Sequence, residues 1–150
     1  MSTTLDWYGC ATFRLRTAGI TVFLDAYIDR APNAAGTGLT ADDVDGCDWI
    51  VVGHSHFDHL WGAERIAANT GATVIGSYET VRLLAAAGVP LDRMMCVSGG
   101  ERIALGHDVF VSVYPSLHSA LWTGTHGAGA GDVCVGDLGV TYQARAERMK

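Results

Sequence analysis

Short runs of β-branched, aromatic and aliphatic residues crowd the start of the chain. Thr4 to Tyr8, Ala11 to Arg16 and Ile20 to Asp25 are such runs, punctuated by Gly9 and Gly19, and they predict three strands. The stretch from Arg30 to Asp48, with Pro32, Gly36, Gly38 and several acidic residues, reads as a long connection. Trp49-Ile50-Val51-Val52 follows as a fully apolar run, the pattern of a buried central strand. Helical and extended patterns then alternate: a helix over Leu60 to Asn69, a strand over Ala72 to Ile75, a helix over Tyr78 to Ala87. Ser77 is placed to cap the second helix, Glu79 lies in its first turn, and Gly88 and Pro90 stop it. Strands are predicted again over Met94 to Val97, Arg102 to Leu105 and Val109 to Tyr114. Early hairpins followed by strand–helix alternation imply an α/β fold, an α+β-type mixed sheet with helices on one face.

The last third changes character. Gly124 to Gly131 is a small-residue loop, read as a flap near the site, and His126 within it is a candidate to reach substrate. Tyr142, Ala146 and Met149 form one apolar stripe of a helix that has barely begun when the sequence stops. The expectation from this pattern is a single unit over residues 1–150 that is an incomplete domain.

Composition narrows the function classes. Hydrophobic residues make up 49% and charged ones 17%, which excludes a disordered tail. Ten basic against 16 acidic residues give a net charge of −6, and a nucleic-acid binder would carry a basic face instead. No apolar run approaches the ~18 residues of a membrane span. The opening MSTTLDWYGC lacks the basic and apolar regions of an export signal, so a cytoplasmic location is expected. Cys10, Cys47, Cys96 and Cys134 contain no C-x-x-C pair and are expected to be reduced, mostly buried packing thiols.

Chemistry concentrates directly after the apolar strand, in Gly53-His54-Ser55-His56-Phe57-Asp58-His59. By chance, H-x-H-x-D-H arises on the order of once in a thousand such chains. In extended backbone His54 and His56 point the same way and form a pincer. A turn near Asp58, into the helix expected around Leu60, would aim Asp58 and His59 at a second point nearby. Three clustered imidazoles without a metal would gain little and would repel one another when protonated. Imidazole with carboxylate suits Zn²⁺, Mn²⁺ or Fe rather than Ca²⁺ or Mg²⁺. Two adjacent ions served by one loop is the natural arrangement, and hydrolysis by metal-activated hydroxide is the reaction it supports most directly. No G-x-S-x-G elbow and no P-loop is present.

His54-Ser-His56-Phe-Asp58-His59 after a buried strand resembles the signature of the metallo-β-lactamase superfamily. The opening Leu5-Asp-Trp7-Tyr-Gly9-Cys-Ala11-Thr-Phe13, followed by Thr21-Val-Phe-Leu-Asp25, is similar to the metal-dependent hydrolase branch that includes the ascorbate-6-phosphate lactonase type. The resemblance runs from about Leu5 to His118 and implies the N-terminal αβ half of an αββα sandwich. It implies His54, His56 and His118 on a first metal and Asp58 and His59 on a second, with Asp25 supporting the site from behind. Asp58 would also orient the attacking hydroxide. Cys10 stands where many relatives have histidine after the glycine. The acid that bridges both metals and the last histidine normally come from the second half; Asp132 and Asp137 read as part of an insertion before it. His107, in a hairpin turn, reads as a surface residue.

The resemblance implies a metal-dependent hydrolase acting on a small-molecule ester, lactone or phosphodiester, with two ions, zinc first among the candidates, if the site is complete. The contrasting expectation is a catalytically incomplete metal-binding half-domain, pairing as a homodimer through the face that a missing half would leave.

Overall fold

The computed structural model describes residues 2–30 and 33–116. His118, His126, Cys134, Asp132, Asp137, the glycine-rich loop and the C-terminal helical pattern lie outside the described residues.

Six strands form one sheet in chain order: β1 (Thr4–Trp7), β2 (Phe13–Thr17), β3 (Ile20–Leu24), β4 (Trp49–Val51), β5 (Thr73–Gly76) and β6 (Met94–Cys96). The first three make an antiparallel meander, and β3 to β6 run parallel. Connection length dictates this division. Ala18 and Gly19 join β2 to β3 with both residues at positive φ, 49° and 85°, the two-residue geometry that matches strand twist. Parallel neighbours need long crossovers. The segment 25–48 supplies one, the helices α1 (Phe57–Leu60) and α2 (Ala63–Thr70) a second, and α3 (Tyr78–Ala86) a third. β7 (Arg102–Gly106) and β8 (Val109–Ser112) form a separate antiparallel hairpin.

Side chains alternate across the parallel strands and feed two cores. Phe23, Ile50, Val52 and Val74 cluster with Leu60, Ile66, Leu83 and Leu84 of the helices. Val22, Val51 and Ile75 cluster with Ile103, Leu105, Val109 and Val111 of the hairpin, and the Trp49 indole N–H donates to the Leu105 carbonyl at 3.0 Å. The expected mixed sheet with helices on one face is therefore present, and the hairpin covers part of the other face. Fully burying each Ile, Leu or Phe contributes roughly 1.5–3 kcal/mol. Towards β1 the described residues leave that second face uncovered: Leu5 and Trp7, opposite Leu15 and Phe13 in the register, are 59% and 68% exposed.

Two expectations are corrected. The single helix over Leu60 to Asn69 is two helices, because Gly62 adopts φ +119° and breaks the ladder between them. The thiols are not mostly buried: of the three described cysteines, only Cys47 is, and Cys10 and Cys96 are exposed. Cys47 does pack as expected, and burial pushes its thiol up to about 12. Among the described residues no helix is long and apolar enough to cross a membrane.

Candidate metal centre

The site is built at the carboxyl ends of β3 and β4, where open α/β sheets place their crevices. The two strands are parallel neighbours with Leu24 beside Val51, so the residues that follow each strand emerge together. Asp25 follows β3 at φ 51° and its N–H donates to Val51 O at 2.9 Å. One carboxylate oxygen accepts from the Gly53 N–H at 2.6 Å, and the other accepts from His59 Nδ1 at 2.8 Å. A β-carbon at Gly53 would sit 3.3 Å from Asp25 Oδ2, so this close approach favours glycine. Asp25 thus both ties down the strand end and holds the His59 ring.

That bond fixes what His59 offers. In the neutral ring, donation of Nδ1–H to Asp25 leaves the lone pair on Nε2, which faces Asp58 Oδ2 at 3.8 Å. Burial works against the imidazolium, but the hydrogen bond and charge of Asp25, with the charge of Asp58, hold the His59 pKa above its ordinary 6.5.

The backbone changes period inside the motif. His56 is still extended (φ −68°, ψ 153°) and precedes α1, whose first turn carries Asp58. The turn falls next to Asp58, where the sequence suggests it, and the helix it leads into begins earlier than expected, at Phe57 rather than around Leu60. His54 and His56 meet as expected: His54 Nε2 lies 3.0 Å from His56 Nδ1. Asp58 joins them, with one ligand atom from each of the three residues all within 4.8 Å of one another. The His59 ring lies against the His54 ring, centroids 3.9 Å apart.

The donors fit a transition metal. Two nitrogens bound tetrahedrally at 2.0–2.1 Å stand about 3.3 Å apart, close to the spacing seen between His54 and His56. Asp58 Oδ1 is buried and has no hydrogen-bond partner among the described residues. A buried, unpaired carboxylate oxygen is costly unless a cation meets it.

Several supporting residues were not legible in the sequence. Ser55 lies between the two histidines and so points away from them; its hydroxyl is buried and donates to Glu79 Oε2 of α3 at 2.6 Å. Period-two alternation alone signals that Ser55 faces inward, but not which helix it meets. Gly62 allows the chain to press against the loop after β3: a β-carbon there would come within 3.2 Å of Asp29 N. The Trp61 carbonyl accepts from Ile28 N and Asp29 N at 3.2 and 3.1 Å. Cys10 keeps a contact with the motif, its Sγ donating to the Asp58 carbonyl at 3.8 Å. His107 is exposed in the β7–β8 turn, as expected.

Residues 21–136 match the model of the beta-lactamase superfamily domain. The chain belongs to the metallo-β-lactamase superfamily. Within this superfamily it is 34% identical over 142 residues to a protein of Pyrobaculum arsenaticum (strain DSM 13514 / JCM 11321 / PZ6) named "UPF0173 metal-dependent hydrolase", covering 93% of this chain and 60% of that protein. A protein of the same name from Anaeromyxobacter dehalogenans (strain 2CP-C) is 37% identical over 131 residues, 85% of this chain and 47% of that one. The chain thus spans about half to three-fifths of the length of these relatives. Among solved structures it is similar to Igni18, a metallo hydrolase from Ignicoccus hospitalis KIN4/I, with a TM-score of 0.59, 20% identity, and coverage of 78% of this chain and 50% of that one. CmlA, a diiron beta-hydroxylase from Streptomyces venezuelae, shares the fold at a TM-score of 0.55 and 24% identity, over 77% of this chain and 24% of that one.

Proposed function

We propose that the chain is a metal-dependent hydrolase that cleaves an ester, lactone or phosphodiester bond of a small molecule, in the cytoplasm. The observation that carries this reading is the buried Asp58 Oδ1, without a hydrogen-bond partner among the described residues, beside the converging nitrogens of His54 and His56. The names of the superfamily relatives support it.

His54 and His56 would hold a first ion, with His118 expected to join them, and Asp58 and His59 a second; the ligand atom of Asp58 lies within 4.8 Å of those of both histidines. Zinc suits this donor set first, with manganese or iron as alternatives. A bound divalent cation would supply Lewis acidity that lowers the pKa of a coordinated water to about 7. The chain's own residues do the rest. Asp58 would accept a hydrogen bond from the attacking water or hydroxide and so orient it towards the scissile bond. Asp25 holds the His59 ring in the orientation and tautomer that leaves Nε2 free.

Elemental analysis of the gel-filtered chain tests the reading. Two equivalents of Zn, Mn or Fe per chain are expected, with turnover lost in His56→Ala and Asp58→Ala; retained turnover in metal-free protein would overturn it. A second reading is favoured by the apolar face that the described residues leave uncovered at Leu5 and Trp7: a half-domain holding one ion and completing its site as a homodimer. One equivalent of metal together with a dimeric elution volume would select it.

A further inference from the structure

His54 has a second neighbourhood, away from the carboxylates. It stands on the wall of a cleft of about 430 Å³ between the carboxyl ends of β4 and β5 and the segment leaving β8. That volume falls within the roughly 300–1,000 Å³ of small-molecule sites. Val97, Val111 and Val113 give the cleft apolar walls, and Ser77, Ser98, Ser112 and Ser116 also border it. Among the described residues that line it, none is Asp, Glu, Lys or Arg. The valine side of this lining offers apolar contact to an aliphatic group, and among the described lining residues a charged group meets no ion-pair partner.

We infer that this cleft receives an uncharged, short aliphatic portion of the substrate, beside the bond that is broken at the metal centre. The substrate class is therefore a small ester, lactone or phosphodiester whose group on this side carries no ammonium, carboxylate or phosphate. The inference rests on the hydrolase reading for the reaction, whereas occupancy of the cleft is measurable by itself.

The test uses three amides with one common head group: acetamide, pentanamide and 4-aminobutanamide, the last cationic at neutral pH. Each is titrated into the zinc-loaded full chain and binding is followed by ligand-observed NMR. Pentanamide should bind more tightly than acetamide, by up to about fourfold per added CH₂, and 4-aminobutanamide should lose that gain. Val113→Trp, which fills the cleft, should erase the advantage of pentanamide. Val113→Asp, at a half-buried wall position, should restore 4-aminobutanamide and serves as the second variant if Val113→Trp does not fold. Equal binding of pentanamide and 4-aminobutanamide would overturn the inference. So would a folded Val113→Trp chain that binds pentanamide as before, or a Val113→Asp chain with unchanged preference. If the amides behave as expected but the zinc-loaded chain hydrolyses no ester, lactone or phosphodiester, the hydrolase reading fails and the cleft assignment stands.

Discussion

Asp25 and His59 are 34 positions apart in sequence and 2.8 Å apart in space, and much of the chemistry at the metal centre depends on that pair. Replacing the carboxylate by an amide in Asp25→Asn removes the charge that favours and orients the ring. Loss of such an outer partner typically weakens metal affinity by about 10–100-fold, which competition with a chelator will measure. The pair also sets a pH dependence. Because the His59 pKa is raised above 6.5 in the folded chain, its stabilising contribution to the metal-free protein is full below 6.5 and is lost as pH rises through the folded value. Metal binding runs the other way, since the ion needs the neutral ring, so affinity should strengthen across the same window. Urea titrations of metal-free chain at several pH values should show the decline, flattened in Asp25→Asn. Glu79 has a comparable part behind the other histidines. Glu79→Ala removes the acceptor of the 2.6 Å bond from buried Ser55, at an expected cost of about 1.5–3 kcal/mol, together with weaker metal binding. Glu79→Gln, which keeps an acceptor, should recover most of both; equal losses in the two variants would argue against a positioning role.

At the scale of elements, the break between α1 and α2 brings the motif and the loop after β3 together. Gly62 and Gly71 both adopt positive φ, 119° and 75°, but their surroundings differ. A β-carbon at Gly71 meets nothing within 4 Å, whereas one at Gly62 presses on Asp29 N and Ala26 O at 3.2 and 3.3 Å. Gly71→Ala should therefore cost only the backbone preference, about 1 kcal/mol. Gly62→Ala should cost more, on the order of 1–3 kcal/mol, and should also disturb metal binding because His59 lies three residues before it. Denaturant midpoints of the two variants check the order. The break also shows where reading the pattern fell short. The run from Leu60 to Asn69 has helical spacing, and nothing local says that Gly62 is a joint rather than an interior glycine. By contrast α3 was legible end to end, because its cap is local: Ser77 Oγ accepts from the Thr80 N–H at 3.2 Å.

For the molecule as a whole, an ion bound by the folded chain and not by the unfolded one stabilises it by mass action. At a free metal concentration of 100 Kd the gain is about 2.7 kcal/mol. Zinc should raise the melting temperature, excess chelator should return it to the metal-free value, and Asp58→Ala should respond to neither. A melting temperature indifferent to metal in the parent chain would count against a centre formed by folding.

The sequence by itself determined the donor cluster, the buried strand before it and the mixed α/β arrangement. Those features are local: four donors in six positions, one apolar run, and the periods of two and 3.6 that set which way side chains point. Tertiary structure alone decided that Asp25 meets His59, that Ser55 meets Glu79 and that valines and serines from distant strands enclose a cleft beside His54. Such meetings follow from the register of β3 on β4 and from the packing of α3 and the hairpin against opposite faces of the sheet. A shift of one residue in register would turn every side chain of a strand to its other face, and no spacing along the chain records which register the packed core selects.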